Sequence, residues 1–171
     1  MSAAAARPLT PGEIALARTV FGDAIDYPEV RMVRSKWAFF QPRETVMAPC
    51  GYVHFHPAGS LYRADFAAAG LGDQGLFIHE MTHIWQAQTR GRFYLPLMRH
   101  PFCRYAYRWQ PGRAFDDYGL EQQAEIVRHA FLLARGFRLP DKPPLDAYRA
   151  LLPFNPASSP PRPVPAAATD P

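Results

Sequence analysis

The sequence predicts an α+β domain, in which a small antiparallel or mixed sheet packs on two helices that carry polar residues. Three observations support this class. Residues 75–85 hold a His-Glu-x-x-His motif in a helical apolar pattern, residues 44–56 alternate as a hairpin does, and residues 118–133 repeat apolar residues at three- and four-residue steps. With 171 residues and 48% hydrophobic content, the chain can bury one substantial core.

Composition limits the cellular setting. The net charge is +4, and 17 of the 19 basic residues are Arg. Cys50 and Cys103 form no CxxC pair, so neither a disulfide framework nor a thiolate zinc site is expected. The N-terminus lacks a secretory signal, and an 18-residue apolar stretch is absent. We expect a cytoplasmic protein without a membrane partner, although export by a signal-independent machine is compatible with this sequence.

The first predicted element is a short helix that starts after Thr10. The run Thr10-Pro11-Gly12-Glu13 has the pattern of a capping box with proline at the first helical position, and an apolar stripe follows as far as Gly22. Residues 27–40 then change to β-branched and aromatic types. This change predicts one or two strands after the opening helix.

Two alternating segments, residues 44–48 and 52–56, predict a β-hairpin whose turn lies at residues 49–51. We expect this hairpin to border the site, where a strand can pair with an extended peptide. His54 and His56 are candidate metal ligands on one face of the second arm. Their i, i+2 spacing without a nearby carboxylate is more typical of a solvent-facing strand.

The central predicted element is a helix that carries His79-Glu80-x-x-His83. Helical residues four apart lie on one face, so both imidazoles can bind one Zn²⁺ while Glu80 points toward its open position. Apolar residues at helical spacing, a capped turn at residues 70–73 and Gly91 as a stop predict a buried amphipathic helix. Glu80 would take a proton from a zinc-bound water and deliver it to a leaving amine.

Residues 90–113 are basic and aromatic, with six arginines and no acidic residue. Such a segment can bind nucleic acid through phosphate contacts and base stacking. We prefer the interpretation that it forms a wall of the site cleft, because Arg stems cover aromatic faces while their charge stays in water. Plain packing is the second interpretation, and nucleic acid is the least favoured partner.

Residues 118–133 predict a second helix, on which Glu121, Glu125 and His129 form a row beside the apolar stripe. Carboxylates that border a buried face require a partner. Because catalytic zinc needs three protein ligands, this helix is the expected source of the third. The residues alone leave Glu121 and Glu125 both open, with His129 and His100 as more distant candidates.

A further short helix is predicted over residues 143–152. Residues 155–171 are rich in Pro and Ala and cannot build a core, which predicts a disordered tail. We therefore expect one domain over residues 1–154, followed by that tail.

A resemblance to known families is carried by Leu9-Thr10-Pro11-Gly12, Phe21-Gly22-Asp23, Val30-Arg31 and above all Phe77-Ile78-His79-Glu80-Met81-Thr82-His83-Ile84-Trp85-Gln86. By these residues the whole chain resembles a family of small bacterial proteins, the Vgr-related proteins. Residues 10–88 are similar to the metallopeptidase-like core domain associated with extracellular contractile injection systems. The resemblance implies a zincin-like fold with His79 and His83 on the metal and Glu80 catalytic.

The run Glu121-Gln122-Gln123-Ala124-Glu125 resembles the Glu-x-x-Ala-Asp found on the third-ligand helix of some Glu-type zincins. This resemblance implies that Glu121 binds the metal. Glu125 would then orient a histidine ring from behind.

The expected function is hydrolysis of a peptide or protein substrate by a zinc-activated water. His79, His83 and Glu121 would hold the Zn²⁺, and Tyr118 or a nearby Arg would stabilise the oxyanion. The alternative is a zinc-binding module without turnover, an accessory or effector-linked component of a bacterial secretion or injection system.

Overall fold

A computed structural model describes residues 6–91, 95 and 105–154 of the chain. Within this part, four α-helices and four strands have defined bounds, so the predicted α+β class is confirmed. The strands are β1 (Ala6–Pro8), β2 (Arg31–Val33), β3 (Val46–Met47) and β4 (Tyr52–Phe55). The helices are α1 (Pro11–Phe21), α2 (Leu71–Arg90), α3 (Leu120–Ala134) and α4 (Leu145–Leu151). The predicted tail at residues 155–171 lies outside the described residues.

Helix α1 begins as the sequence predicts. Thr10 Oγ1 accepts a hydrogen bond from the Glu13 N–H at 3.0 Å, and Glu13 Oε2 accepts one from the Thr10 N–H at 2.9 Å. Arg7 also donates to both carboxylate oxygens of Glu13, each at 2.8 Å. Since Glu13 is fully buried, this pairing raises the pKa of Arg7 and ties β1 to α1.

The four strands form one mixed sheet in the order β1-β2-β4-β3. The predicted hairpin is confirmed, because β3 and β4 pair antiparallel with Val46 opposite Phe55. β2 and β4 pair in parallel, and β1 pairs antiparallel with β2. Val53 and Phe55 point into the core, while Tyr52 stays exposed, as the alternation predicts.

Residues 27–40 contain one strand, within the predicted one or two, but it is short. They form a 3₁₀ turn at Tyr27–Glu29, the three-residue strand β2 and the start of a loop that continues to β3. The buried Gln41 side chain explains the loop. Its amide accepts from the Trp37 N–H at 2.9 Å and donates to the carbonyls of Thr45 at 2.8 Å and His54 at 3.0 Å. These backbone groups therefore bond to the Gln41 side chain instead of to a neighbouring strand.

Helix α2 runs through the core and ends before Gly91, as predicted. It begins at Leu71, and Gly70 is its N-cap. Asp73, at the end of the expected capped turn, lies in the first turn of α2 and binds Arg63 at 2.8 Å. Phe77 and Met81 are fully buried on the apolar side of α2.

Gly75 of α2 packs against side chains of α3. A Cβ at this position would lie 3.3 Å from Arg128 Nε and 3.3 Å from Leu132 Cδ2. A glycine here therefore allows the two helices that carry the polar residues to pack closely together. None of the helices in the described part of the chain has the length and apolarity needed to cross a bilayer.

Candidate metal centre

Two helices bring together three buried side chains that can hold one metal ion. His79 and His83 come from α2, and Glu121 comes from the first turn of α3. Glu121 Oε2 lies 3.1 Å from His83 Nε2 and 3.3 Å from His79 Nε2. One ligand atom from each residue lies within 4.8 Å of the other two. The structure thus groups the three residues that the sequence analysis prefers as ligands.

The spacing of these atoms fits a four-coordinate zinc ion. Zn–N and Zn–O bonds of about 2.0–2.2 Å at tetrahedral angles place neighbouring ligand atoms about 3.4 Å apart. The two separations from Glu121 Oε2 are close to this value. Two imidazoles and one carboxylate are also the donor types of catalytic zinc sites, which leave one position open.

The hydrogen bonding of His83 is compatible with a cation in the site. His83 Nδ1 lies 2.8 Å from Gln86 Oε1, which can only accept. A neutral His83 ring therefore carries its proton on Nδ1 and presents the Nε2 lone pair to Glu121. Two acceptors 3.1 Å apart repel each other unless a metal ion or a further proton lies between them.

A pair of buried glutamines fixes this arrangement. Gln86 Nε2 donates to the Leu120 carbonyl at 3.2 Å and to Gln123 Oε1 at 2.9 Å. Gln123 Nε2 donates in turn to the Tyr118 carbonyl at 2.8 Å. Both amide groups therefore have one orientation that satisfies all their partners. Neither glutamine was predicted to belong to the site, and the one sequence signal was that Gln86 follows His83 by three residues on the same helix.

A carboxylate lies behind His79. Glu125 Oε1 is 2.9 Å from His79 Nδ1, although the N–H is poorly aligned with it, so we treat the contact as an ion pair rather than a full hydrogen bond. Arg128 Nη1 donates to the same oxygen at 3.2 Å. Because a ring binds a metal through one nitrogen, Glu125 on the Nδ1 side orients the ring.

The charges of this pair shift both pKa values. Burial alone would lower the pKa of His79, but Glu121 and Glu125 outweigh it and raise the pKa to about 9. Burial would raise the pKa of Glu125, but His79 and the neighbouring basic groups lower it to about 2. The site therefore favours a positive charge on or beside His79.

His129 has other partners. Its Nδ1 lies 2.7 Å from the Tyr107 hydroxyl, which lies 2.6 Å from the Tyr148 hydroxyl. Its Nε2 lies 3.5 Å from Glu125 Oε2, and burial lowers its pKa. His129 therefore lies outside the triad and contacts Glu125 rather than the triad itself.

Glu80 is buried beside the triad. Its side chain is 6% exposed, and within residues 6–91, 95 and 105–154 its Oε2 has no hydrogen-bond partner. Its negative charge contributes to the raised pKa of His79. A buried carboxylate oxygen without a partner is costly unless a ligand or water uses it.

The Tyr118 side chain is also buried. Its hydroxyl accepts from the Gln110 N–H at 3.3 Å, and Arg113 lies over its ring at 4.4 Å. The Tyr118 carbonyl accepts a hydrogen bond from Gln123, and this contact connects Tyr118 to the triad. Its role as an oxyanion donor stays a prediction. The half-exposed ring of Tyr105 instead stacks on His79, with ring centroids 6.0 Å apart.

The remaining candidates lie elsewhere. The described metal-binding cluster includes neither His54 nor His56, and His100 lies outside the described residues. Of the segment 90–113, most residues in the described range 105–113 are exposed, but Tyr107 is buried and Trp109 packs on Tyr148 with ring centroids 5.1 Å apart. Since Tyr105 contacts His79 while Tyr107 and Trp109 pack in the domain, the cleft-wall and packing interpretations both stay predictions.

Comparisons with known proteins show one clear relationship. No protein-family model matches the chain. The type VI secretion system spike protein VgrG2b of Pseudomonas aeruginosa is 45% identical over 139 residues, which cover 76% of this chain and 13% of that protein. The chain thus spans about an eighth of the length of this curated relative.

A solved structure covers nearly the whole described domain. The effector domain of Pseudomonas aeruginosa VgrG2b superposes with a TM-score of 0.69 and is 39% identical, over 88% of this chain and 83% of that domain. The likeness therefore extends over most of that effector domain. The chain therefore belongs to the Vgr-related family that includes the effector domain of VgrG2b.

Proposed function

We propose that this chain is a zinc-dependent peptidase with a zincin-like fold. The observation that carries the proposal is the position of Glu121 Oε2, within 3.3 Å of the Nε2 atoms of both His79 and His83. Glu80 Oε2 on the same helix, which has no hydrogen-bond partner among the described residues, supports it. A closed structural zinc site would need a fourth ligand and would have no use for such a carboxylate.

Each side chain then has one task. Bound zinc would supply a Lewis acid that lowers the pKa of a water ligand. Glu80 takes the proton of the attacking water and passes it to the leaving amine. Glu125 and Gln86 hold the His79 and His83 rings, so that both Nε2 atoms face the ion.

The substrate class we propose is an extended peptide or protein segment. β3 is an edge strand of the sheet, next to β4. An edge strand can bind an extended peptide through backbone hydrogen bonds. We also propose that the domain acts as an effector of a bacterial secretion system, because its relative is the effector domain of a type VI secretion spike protein.

The experiment measures bound zinc and peptide cleavage together. Wild type should bind one zinc and cleave casein or a quenched fluorescent peptide library. Glu80→Gln should keep the zinc and lose at least about a hundredfold in kcat. The double variant His79→Ala/His83→Ala should lose both properties, and the exposed Glu29→Gln should keep both.

The outcomes separate the proposal from its alternative. Equal cleavage by wild type and Glu80→Gln would contradict the peptidase. Stoichiometric zinc without cleavage of any peptide or protein in the panel would favour an accessory module. Zinc retention by the double histidine variant would reject the site itself.

A further inference from the structure

An exposed aromatic tip lies on the loop between β2 and β3. Phe39 is 89% exposed, Phe40 is 61% exposed and Trp37 is 43% exposed. The Phe39 and Phe40 rings meet edge to face, with centroids 5.2 Å apart. We call residues 37–40 the aromatic tip. Three large apolar side chains clustered at the surface of a small domain indicate a binding site for a membrane or another molecule.

The loop holds this tip in one shape. The buried Gln41 side chain bonds the Trp37 N–H and the carbonyls of Thr45 and His54, as described above. The Gln41 N–H also donates to the Ala38 carbonyl at 3.1 Å, which closes a turn. The tip is therefore preorganised to project its rings, which lowers the entropy cost of binding.

Basic residues flank the tip in sequence. Arg34, Lys36 and Arg43 are all exposed, and Lys36 Nζ donates to the Phe39 carbonyl at 3.2 Å, whereas Arg34 donates to the Pro57 carbonyl at 3.2 Å. The nearest carboxylate along the loop, Glu44, accepts from Ser60 Oγ at 2.6 Å and stays negatively charged. We call these four flanking residues the rim; with three basic residues and one acidic residue, it carries a net positive charge beside the apolar tip.

We propose that the aromatic tip docks the domain on an anionic phospholipid surface. Aromatic side chains insert at the boundary between headgroups and acyl chains, and flanking Lys and Arg bind anionic headgroups. The charge of the rim matches such headgroups. A bilayer accepts a convex apolar projection without a complementary pocket, and this projection is convex because Phe39 is almost fully exposed.

Two other partners fit less well. Single-stranded nucleic acid stacks successive bases on aromatic faces, but the Phe39 and Phe40 planes are 87° apart and cannot form one stacking platform. A protein partner would have to supply a pocket for the tip, and aromatic anchors at protein interfaces lie in well-packed pockets. This proposal departs from the sequence expectation of no membrane partner, which rested on the absence of an 18-residue apolar stretch.

Vesicle sedimentation tests the proposal with the full chain. Wild type should bind phosphatidylcholine vesicles that contain phosphatidylglycerol and should bind pure phosphatidylcholine about tenfold more weakly. Phe39→Ser/Phe40→Ser should lower binding to the anionic vesicles about tenfold or more. Lys36→Glu/Arg43→Glu should abolish the preference for anionic lipid. The exposed Phe137→Ser and Arg138→Glu are matched controls and should bind as wild type does.

A fluorescence measurement locates the contact. Vesicles with brominated acyl chains should quench part of the wild-type tryptophan emission, and this part should disappear in Trp37→Phe. Wild type that binds neither vesicle, or a Phe39→Ser/Phe40→Ser variant that binds both as wild type does, would overturn the proposal. Retention on single-stranded DNA that depends on the two phenylalanines would overturn it in favour of nucleic acid.

Discussion

Gln86 and Gln123 face each other between α2 and α3, with Gln86 Nε2 2.9 Å from Gln123 Oε1. Both side chains are fully buried, and their contact connects His83 on one helix to the Tyr118 carbonyl before the other. The pair therefore fixes the His83 tautomer and the relative position of the helices that supply the ligands.

Removal of the Gln86 amide should weaken metal binding. Gln86→Leu deprives His83 Nδ1 of its acceptor, so we expect zinc affinity to fall about 10- to 100-fold. Gln86→Glu, which keeps an acceptor, should recover part of the loss. Competition with a zinc chelator measures these affinities, and the exposed Gln88→Leu serves as control. Wild-type affinity in Gln86→Leu, at unchanged helical content, would contradict the role we give to Gln86.

The two glutamates of α3 should differ in their effect on zinc. Glu121 faces the Nε2 atoms of both rings, whereas Glu125 lies behind His79 at Nδ1. We expect Glu121→Gln to reduce zinc affinity at least about a hundredfold and Glu125→Gln only about tenfold. The same chelator competition distinguishes them. A larger loss in Glu125→Gln would make that residue the ligand.

The metal-free protein should become less stable as pH rises. The pKa of His79 is raised from 6.5 to about 9, so its protonated form stabilises the folded state fully below pH 6.5. This stabilisation is lost as the pH rises through 9. We expect the Tm of the metal-free protein to fall by several degrees between pH 6.5 and 9, and His79→Gln to remove this part of the slope.

Zinc affinity should change in the opposite direction. A metal ligand must be deprotonated, so zinc has to displace the His79 proton, and affinity should rise by up to about tenfold per pH unit in this window. Calorimetry in buffers of different ionisation enthalpy counts the released protons. An affinity that is constant between pH 6.5 and 9, with no proton released, would show that His79 is already neutral.

Substitution of Tyr118 tests whether its hydroxyl has a structural or a catalytic role. Because the Tyr118 side chain is buried, and its carbonyl rather than its hydroxyl contacts Gln123, Tyr118→Phe should leave kcat/KM within about threefold of wild type. An oxyanion donor would instead cost about a hundredfold in kcat. Steady-state kinetics on the same peptide decides between the two roles.

Local patterns predicted the elements that depend on near neighbours. The capping box at Thr10, the stop at Gly91 and the hairpin after Val46 each depend on residues close in sequence, and all three are present. The pairing of His79 and His83 also follows from one helical turn. The choice of Glu121 needed a resemblance, because its row on α3 repeats every four residues and does not show which carboxylate faces α2.

Features that depend on tertiary contacts were missed. Gln123 has no sequence signal of its own, since its partner lies on a helix 37 residues earlier. Residues 27–40 have strand-like composition, but after β2 the Gln41 side chain satisfies backbone groups and the aromatic tip remains exposed. The parallel pairing of β2 with β4 depends on how the long connection folds back.

A crystal structure of the zinc-loaded protein, with anomalous data at the zinc edge, tests the metal centre most directly. We predict one ion bonded to His79 Nε2, His83 Nε2 and a Glu121 oxygen at about 2.0–2.2 Å, with water at the fourth position near Glu80. Zinc held by other residues, or a fourth protein ligand that closes the site, would contradict the account.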